Sequence, residues 1–386
     1  MGTFSSIVNT VVSNRRTRKT IRKIEMGNEL RRGITSYEAS DIEAFIERDR
    51  EVGDYLISGG ISYNRSRSAA SIVTCALDQG IPVIVLHEGN TEMENYMRQV
   101  PFFANQKIFI SPQAAFYDPF YNRTNQEICD IVLRSANENR KIKSNGQYYI
   151  SGIAEFIRSK NIPPYCDMFL RTPFNDLFEK LDEAVSLNYL SSQRATQIRN
   201  LLMQGQSEQS NIQVFFSQLD REARGILSTK STRANAVNIR DAITRGSMIM
   251  IDIGSRSNEL LLNVVISEIH DVLASGKSIA LILDEISIDA NKELAKLVRS
   301  GSTKCRLSLV AEDVYSMLGS DDNLFHSMVG RSSKCIVFSH FDGTSCTKWA
   351  DVFGQYEVDK ISHNMTTHQN FQFGYGSGNQ NENTQY

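Results

Sequence analysis

Several patterns that would settle a function are missing from this sequence. The six cysteines (Cys75, Cys129, Cys166, Cys305, Cys335, Cys346) are far apart, form no CxxC pair, and several lie in apolar runs. That excludes a zinc site or a disulfide framework and predicts buried free thiols in a reducing compartment. The six histidines (His87, His270, His326, His340, His363, His368) show no HExxH or paired-ligand spacing, so a metal enzyme has no support. No GxSxG elbow is present for Ser/His/Asp catalysis. No apolar run approaches the roughly 18 residues of a spanning helix, and there is no signal peptide and no internal repeat. A net charge of −2 demands neither a nucleic-acid nor a membrane partner.

The 386 residues are 41% hydrophobic and 22% charged, the make-up of a globular protein large enough for more than one domain. Charge is uneven at the start. Residues 14–32, NRRTRKTIRKIEMGNELRR, hold eight Lys/Arg against two Glu, with Ile21, Ile24 and Met26 as a narrow apolar stripe. Such a piece lies on an anionic membrane, touches nucleic acid, or is a solvated arm. Met1, Gly2 and Ser6 fit the short N-myristoylation pattern.

From residue 54 strands alternate with helices. Asp54–Ser58, Pro82–Leu86 and Lys107–Ile110 read as strands, and Arg65–Leu77 has helical spacing. Residues 126–228 lose the strand-like runs and carry helical periods such as Ile128, Ile131, Val132 and Phe178, Leu181, Ala184, Val185. The alternation returns with strand Ser247–Ile253, helix Leu260–Leu273, strand Ile279–Leu283 and helix Asn291–Arg299. Strands Arg306–Asp313 and Lys334–Ser339 follow, then helix Thr344–Phe353. Strands alternating with helices predict a mostly parallel α/β sheet. The expected order is a basic arm (1–45), a first α/β part (46–125), an inserted all-α domain (126–240), a second α/β part (241–370) and a Gly/Asn/Gln-rich tail (371–386), which reads as disordered.

Two segments carry candidate chemistry. SIALILDEIS (Ser278–Ser287) runs an apolar strand into Asp284 and Glu285. Acids at the carboxyl end of such a strand stand where open α/β sheets bind ligands, and in P-loop motors they hold magnesium and polarise the attacking water. A strand that merely ends in solvated acids is the competing reading. The turn SGGISYNRSRSAAS, laid on GxxxxGK[ST], places Gly59, Gly60, Asn64, Arg65 and Ser66 as a degenerate phosphate loop. Asn64 replaces a glycine, on the expectation that asparagine tolerates positive φ. Arg65 replaces the lysine, with a bulkier planar head. Ser66 keeps a hydroxyl for magnesium. Arg331, in GRSSK, is either an arginine that reaches a neighbouring subunit's phosphate or a surface charge, and the latter is preferred. The cluster AAFYDPFYN (Ala114–Asn122) either stacks on bases or packs a loop against the core, again the latter.

With both half-motifs in one α/β block, the chain resembles the type IV coupling proteins, the TraD/TraG group of RecA-like P-loop ATPases that feed DNA and protein substrates to type IV secretion channels. The resemblance rests on the half-motifs flanking a helical block, on LILDEIS followed by GSTKCRLSLVAEDVYSML, and on CIVFSHFDGTSCTKWADVFGQYEVDKIS. It covers about residues 50–370. It implies a RecA-like fold with an inserted all-α domain, ATP and Mg2+ as cofactors, Asp284 and Ser66 on the metal, Glu285 as the catalytic glutamate, and Gly59, Gly60, Asn64, Arg65 and Ser66 on the phosphates. It also implies a homo-oligomeric ring, a DNA or secreted-protein substrate, and conjugation or secretion subunits as partners.

The departures are the missing lysine and second glycine, Glu312 where a γ-phosphate-sensing glutamine is usual, and an acidic motif reduced to His87-Glu88-Gly89. The membrane helices most members carry are absent too. The expectation is a cytoplasmic subunit with weak or lost ATPase activity, touching the inner face of the cell membrane, if at all, through residues 14–32. A non-hydrolysing scaffold of the same apparatus and a DNA-binding motor in defence or segregation are the alternatives.

Overall fold

The computed structural model describes Ile46 and residues 53–136, 141–254, 259–288 and 291–353. The basic segment 14–32 and the tail 371–386 lie outside the described residues. Seven strands form one parallel sheet, in the order β3-β6-β2-β7-β8-β1-β9. They are β1 (Tyr55–Ser58), β2 (Val83–His87), β3 (Lys107–Ile110), β6 (Met248–Asp252), β7 (Ile279–Asp284), β8 (Cys305–Ala311) and β9 (Lys334–Val337). A two-stranded parallel ribbon, β4 (Phe116–Tyr117) with β5 (Ala236–Val237), stands beside it. Strands β1, β2 and β7 are buried at every position, as parallel strands covered on both faces must be. The α/β, parallel-sheet class expected from the sequence is the one observed.

Parallel pairing requires a crossover after each strand. Helix α1 (Ser62–Asp78) follows β1 and α2 (Thr91–Gln99) follows β2. After β4 come α3 (Asn125–Ser135), α4 (Gly146–Arg158), α5 (Cys166–Leu170), α6 (Leu177–Ser186), α7 (Ser192–Gly205) and α8 (Gln209–Ala223). The chain re-enters the sheet through β5, α9 (Ile239–Thr244) and β6. The remaining crossovers are α10 (Glu259–Ala274), α11 (Lys292–Ser300), and α12 (Val314–Met317) with α13 (Asp322–Arg331). Residues Glu43–Cys346 form one compact unit. The described part of the other unit is Thr347–Phe353, the end of helix α14 (Gly343–Phe353).

Helix α10 is buried from Leu260 through Ile269, including its polar positions, because it packs against α3, α8, α9 and α11. A helix buried all round needs partners for its polar groups. Glu268, fully buried, accepts from the Tyr117 hydroxyl (2.8 Å), the Ile239 amide (3.3 Å) and the Arg123 guanidinium. Asn263 donates to the Ser135 carbonyl (3.2 Å). These bonds fasten the helical block to the sheet. The aromatic cluster packs as preferred. Tyr117 and Phe120 are fully buried, and Phe120 meets Phe169 (5.1 Å) and Phe216 (6.0 Å). All six cysteines are free thiols. Among the described residues no helix is long and apolar enough to cross a membrane.

Within the helical block α4 and α7 approach so closely that glycine is required at their contact. A Cβ on Gly205 would sit 2.5 Å from the Tyr149 amide nitrogen and 2.9 Å from the Asn145 carbonyl oxygen. Both are backbone atoms and cannot rotate away. Gly205→Ala should therefore destabilise the chain by about 1–3 kcal/mol, measured as a lowered urea midpoint. Gly80→Asn, in a left-handed turn with open space around it, should be close to neutral.

Candidate functional site

All seven strands of the main sheet point the same way, so their carboxyl ends share one edge. Strand β1 ends there in Gly59-Gly60, and β7 ends there in Asp284-Glu285, with β8 between them. The structure thus brings together the two segments that the sequence singles out: an Arg65 guanidinium nitrogen lies 2.9 Å from Glu285 Oε1. The local conformation is not that of a phosphate cradle. Helix α1 begins at Ser62, with Ile61 as an extended N-cap. Only Gly59, Gly60 and Ile61 remain between strand and helix, and Asn64, Arg65 and Ser66 are helical. The positive φ expected of Asn64 does not occur; Gly59 (+85°) and Gly60 (+66°) carry the turn.

The turn's own groups are already satisfied. The Gly59 amide donates to the carbonyls of Ala311 (3.1 Å) and Glu312 (3.0 Å), and the Gly60 amide to that of Ser339 (2.8 Å). A Cβ on Gly59 would lie 2.8–2.9 Å from Phe338 O, Ser339 O and His340 Nε2. The segment following β9 therefore fills the space over the turn. Arg65, its side chain 7% exposed, folds back rather than outward. It donates to the carbonyls of Gly60 (2.6 Å) and Gly59 (3.2 Å) as well as to Glu285. A cation now stands beneath the turn, on its carbonyl side.

Glu285 is held in the left-handed region (φ +59°), unusual for a non-glycine residue and a mark of strain held by its surroundings. Its amide donates to Val310 O (2.9 Å), and its carboxylate accepts from the Glu312 amide (2.7 Å) as well as from Arg65. Beyond it lies a cavity of about 300 Å³ lined by Glu285, Glu312, Asp313 and Asp342. These four carboxylates disfavour a phosphate group there.

Asp284 is fully buried. Its Oδ2 accepts from Asn90 Nδ2 (2.7 Å), while Oδ1 has no partner among the described residues. Burial pushes its carboxyl up to about 7, the Asn90 bond opposes this, and the Glu285 charge adds to it. Asn90 is the N-cap of α2, accepting from the Met93 amide (3.1 Å) and from Ser62 Oγ (3.2 Å). Capping chemistry is legible in Asn-Thr-Glu-Met-Glu, but no sequence signal links Asn90 to an aspartate 194 positions away. No sequence signal marks Phe338–His340 as a wall of the site either.

The buried Ser66 hydroxyl is also without a partner among the described residues. It and Asp284 Oδ1 are the two oxygens that would face a magnesium ion, whose remaining ligands are ordinarily water and phosphate. Among the described residues no group of three or more His, Cys, Asp or Glu is arranged to hold a metal. With its amides engaged and its outer face covered, the turn in this conformation does not form a phosphate cradle. Arg331 is not free to serve another subunit, because it contacts Asp54 (2.7 Å) and donates to Val298 O (2.8 Å).

The raised Asp284 carboxyl has a stability consequence. Its proton is held to about pH 7 in the folded chain against an ordinary value of 3.8. The folded state therefore binds more protons than the unfolded state across that window, and this group's contribution falls as pH rises from about 4 to 7. Asp284→Asn should be more stable than the parent at pH 8, by on the order of 1–3 kcal/mol, and should lose that advantage near pH 4. Urea midpoints of both proteins at the two pH values check this; an equal difference at both would contradict it.

No family model and no curated protein matches the sequence. Among solved structures, the chain is similar to the bacterial conjugative coupling protein TrwBdeltaN70 in its unbound form (TM-score 0.41, 14% identity, covering 73% of this chain and 68% of that one). It is similar to the plasmid coupling protein TrwB in complex with the non-hydrolysable GTP analogue GDPNP (TM-score 0.41, 14% identity, 73% and 69% covered). It is also similar to VirB4 of Thermoanaerobacter pseudethanolicus (TM-score 0.39, 11% identity, 79% and 82% covered).

Proposed function

We propose that this chain is a coupling-protein-like, ATPase-fold subunit of a conjugation or type IV secretion apparatus that does not turn over ATP. In this reading it takes part in recruiting a DNA or protein substrate, as one subunit of a homo-oligomer, with the RecA-like sheet serving as a frame. The acidic strand, the helical block and the segment after β9 support the family part of the reading through their sequence resemblance.

The observation that carries the non-hydrolysing part is the Arg65 contact. A guanidinium bound to Gly59 O, Gly60 O and Glu285 joins the two half-motifs directly. A nucleotide would have to break those bonds, displace the segment over Gly59 and enter beside four carboxylates. The glutamate in the catalytic position would be tied to an arginine and to a backbone amide. An active motor would need Glu285 released from both partners.

Equilibrium titration with ATP-Mg2+, with turnover assayed in the presence and absence of single-stranded DNA, tests the reading. We expect no turnover above background in either condition and no saturable ATP binding that Arg65→Ala or Asp284→Ala alters. Turnover that disappears in Glu285→Gln would overturn it.

A further inference from the structure

At the far side of the carboxyl edge, separated from β1 by β7 and β8, the ends of β2, β3 and β6 enclose a second cavity of about 190 Å³. Phe109 and Met250, register partners on β3 and β6, supply apolar wall. The polar groups are His87, Ser111 and Asp252 from the strand edge, Glu94 from α2, and Glu222 and Arg224 from the end of α8. His87 and Asp252 are register partners on adjacent parallel strands, so their side chains leave the sheet on the same face.

His87 is 4% exposed. Its Nδ1 accepts from the Asn90 amide (3.0 Å), so the neutral ring carries its proton on Nε2. Nε2 has no hydrogen-bond partner among the described residues, although the ring lines the cavity. Burial holds the imidazole below its ordinary value against the pull of Asp252 and Glu94, which keeps it neutral. Asp252 is fixed through Oδ1, which accepts from the amides of Gly89 (3.0 Å) and Gly254 (2.8 Å). Its Oδ2 has no protein partner among the described residues. A donor that opens on the cavity, beside an anchored acceptor, is placed to bond a ligand or a water there.

A donor next to an acceptor complements an amidine edge: a ring nitrogen beside an exocyclic amino group. The nitrogen accepts from His87 Nε2–H, the amino group donates to Asp252, and the ring lies against the apolar wall. The volume is below the roughly 300 Å³ at which sites for drug-sized ligands begin, so it suits one ring system and not a whole nucleotide. We propose that this cavity binds an aminopurine- or aminopyrimidine-type base, such as the base of adenosine or cytidine. The proposal needs no phosphate cradle and does not depend on the state of the Arg65 cleft.

The test is titration of the full chain with adenosine, cytidine and inosine, followed by saturation-transfer NMR and calorimetry. None of these carries a phosphate. Inosine replaces the amino group by a carbonyl and puts a proton on the neighbouring nitrogen, which reverses the edge. We expect adenosine or cytidine to bind saturably and inosine to bind at least about tenfold more weakly. Ser111→Trp, which fills the cavity from its rim, should abolish binding. His87→Phe should weaken it by about tenfold or more, with circular dichroism and urea midpoints reporting that each variant folds. If Ser111→Trp does not fold, His87→Phe decides alone, and the reverse. Absence of saturable binding by both amino nucleosides, equal binding of inosine, or binding retained in the folded variants would each overturn the proposal.

Discussion

The parallel pairing of the seven strands is the constraint on which the rest depends. Because every strand runs the same way, each must be followed by a crossover, and all carboxyl ends meet on one edge. Gly59, His87, Asp252, Asp284, Glu312 and Phe338 come from six different strands or the turns after them, yet all stand on that edge. The same constraint buries the strands on both faces and forces α10 into an environment where Glu268, Asn263 and Ser267 are buried with it. The Arg123–Glu268–Tyr117 bonds follow from that burial, since an unpaired carboxylate there would be strongly destabilising.

Within the edge, charge decides what the cleft between β1 and β7 can hold. A phosphate cradle offers free amides on a wide turn, with a cation reaching over the ligand. Here the turn is three residues long, its two glycine amides are bonded to neighbouring strands' carbonyls, and the cation turns inward to the turn's carbonyl oxygens. The guanidinium's planar fork spans two carbonyls and a carboxylate at once, a geometry for which a lysine ammonium is poorly suited. Arginine at position 65 thus makes a kind of contact that a lysine there would not.

Much of the architecture was legible in the sequence. Apolar runs such as VIVL and IALIL mark strands buried on both faces, and their observed limits, Val83–His87 and Ile279–Asp284, lie within a residue of the expected ones. The helical periods after residue 125 correspond to helices. The pairing of the Gly59 turn with the acids of β7 was also legible, because loop early and acids late in an α/β block places both on the carboxyl edge. The start of α1 was not. Ser62, Tyr63 and Asn64 are ordinary residues for either a loop or a first helical turn, and Ile61 gives no side-chain cap to mark the boundary.

Composition and spacing by themselves determined the class of fold, the succession of strands and helices, the free thiols and the location of the candidate cleft, since these follow from local periodicity and from burial, which each segment records in its own residues. Tertiary structure alone decided that Arg65 faces Glu285 and two carbonyls, that Phe338–His340 cover Gly59, that Asn90 bonds Asp284, and that His87 and Asp252 share a cavity. Each of these joins side chains or backbone atoms from separate strands or turns. Such contacts are set by strand order and register, which are properties of the assembled sheet and are written in no single segment of the chain.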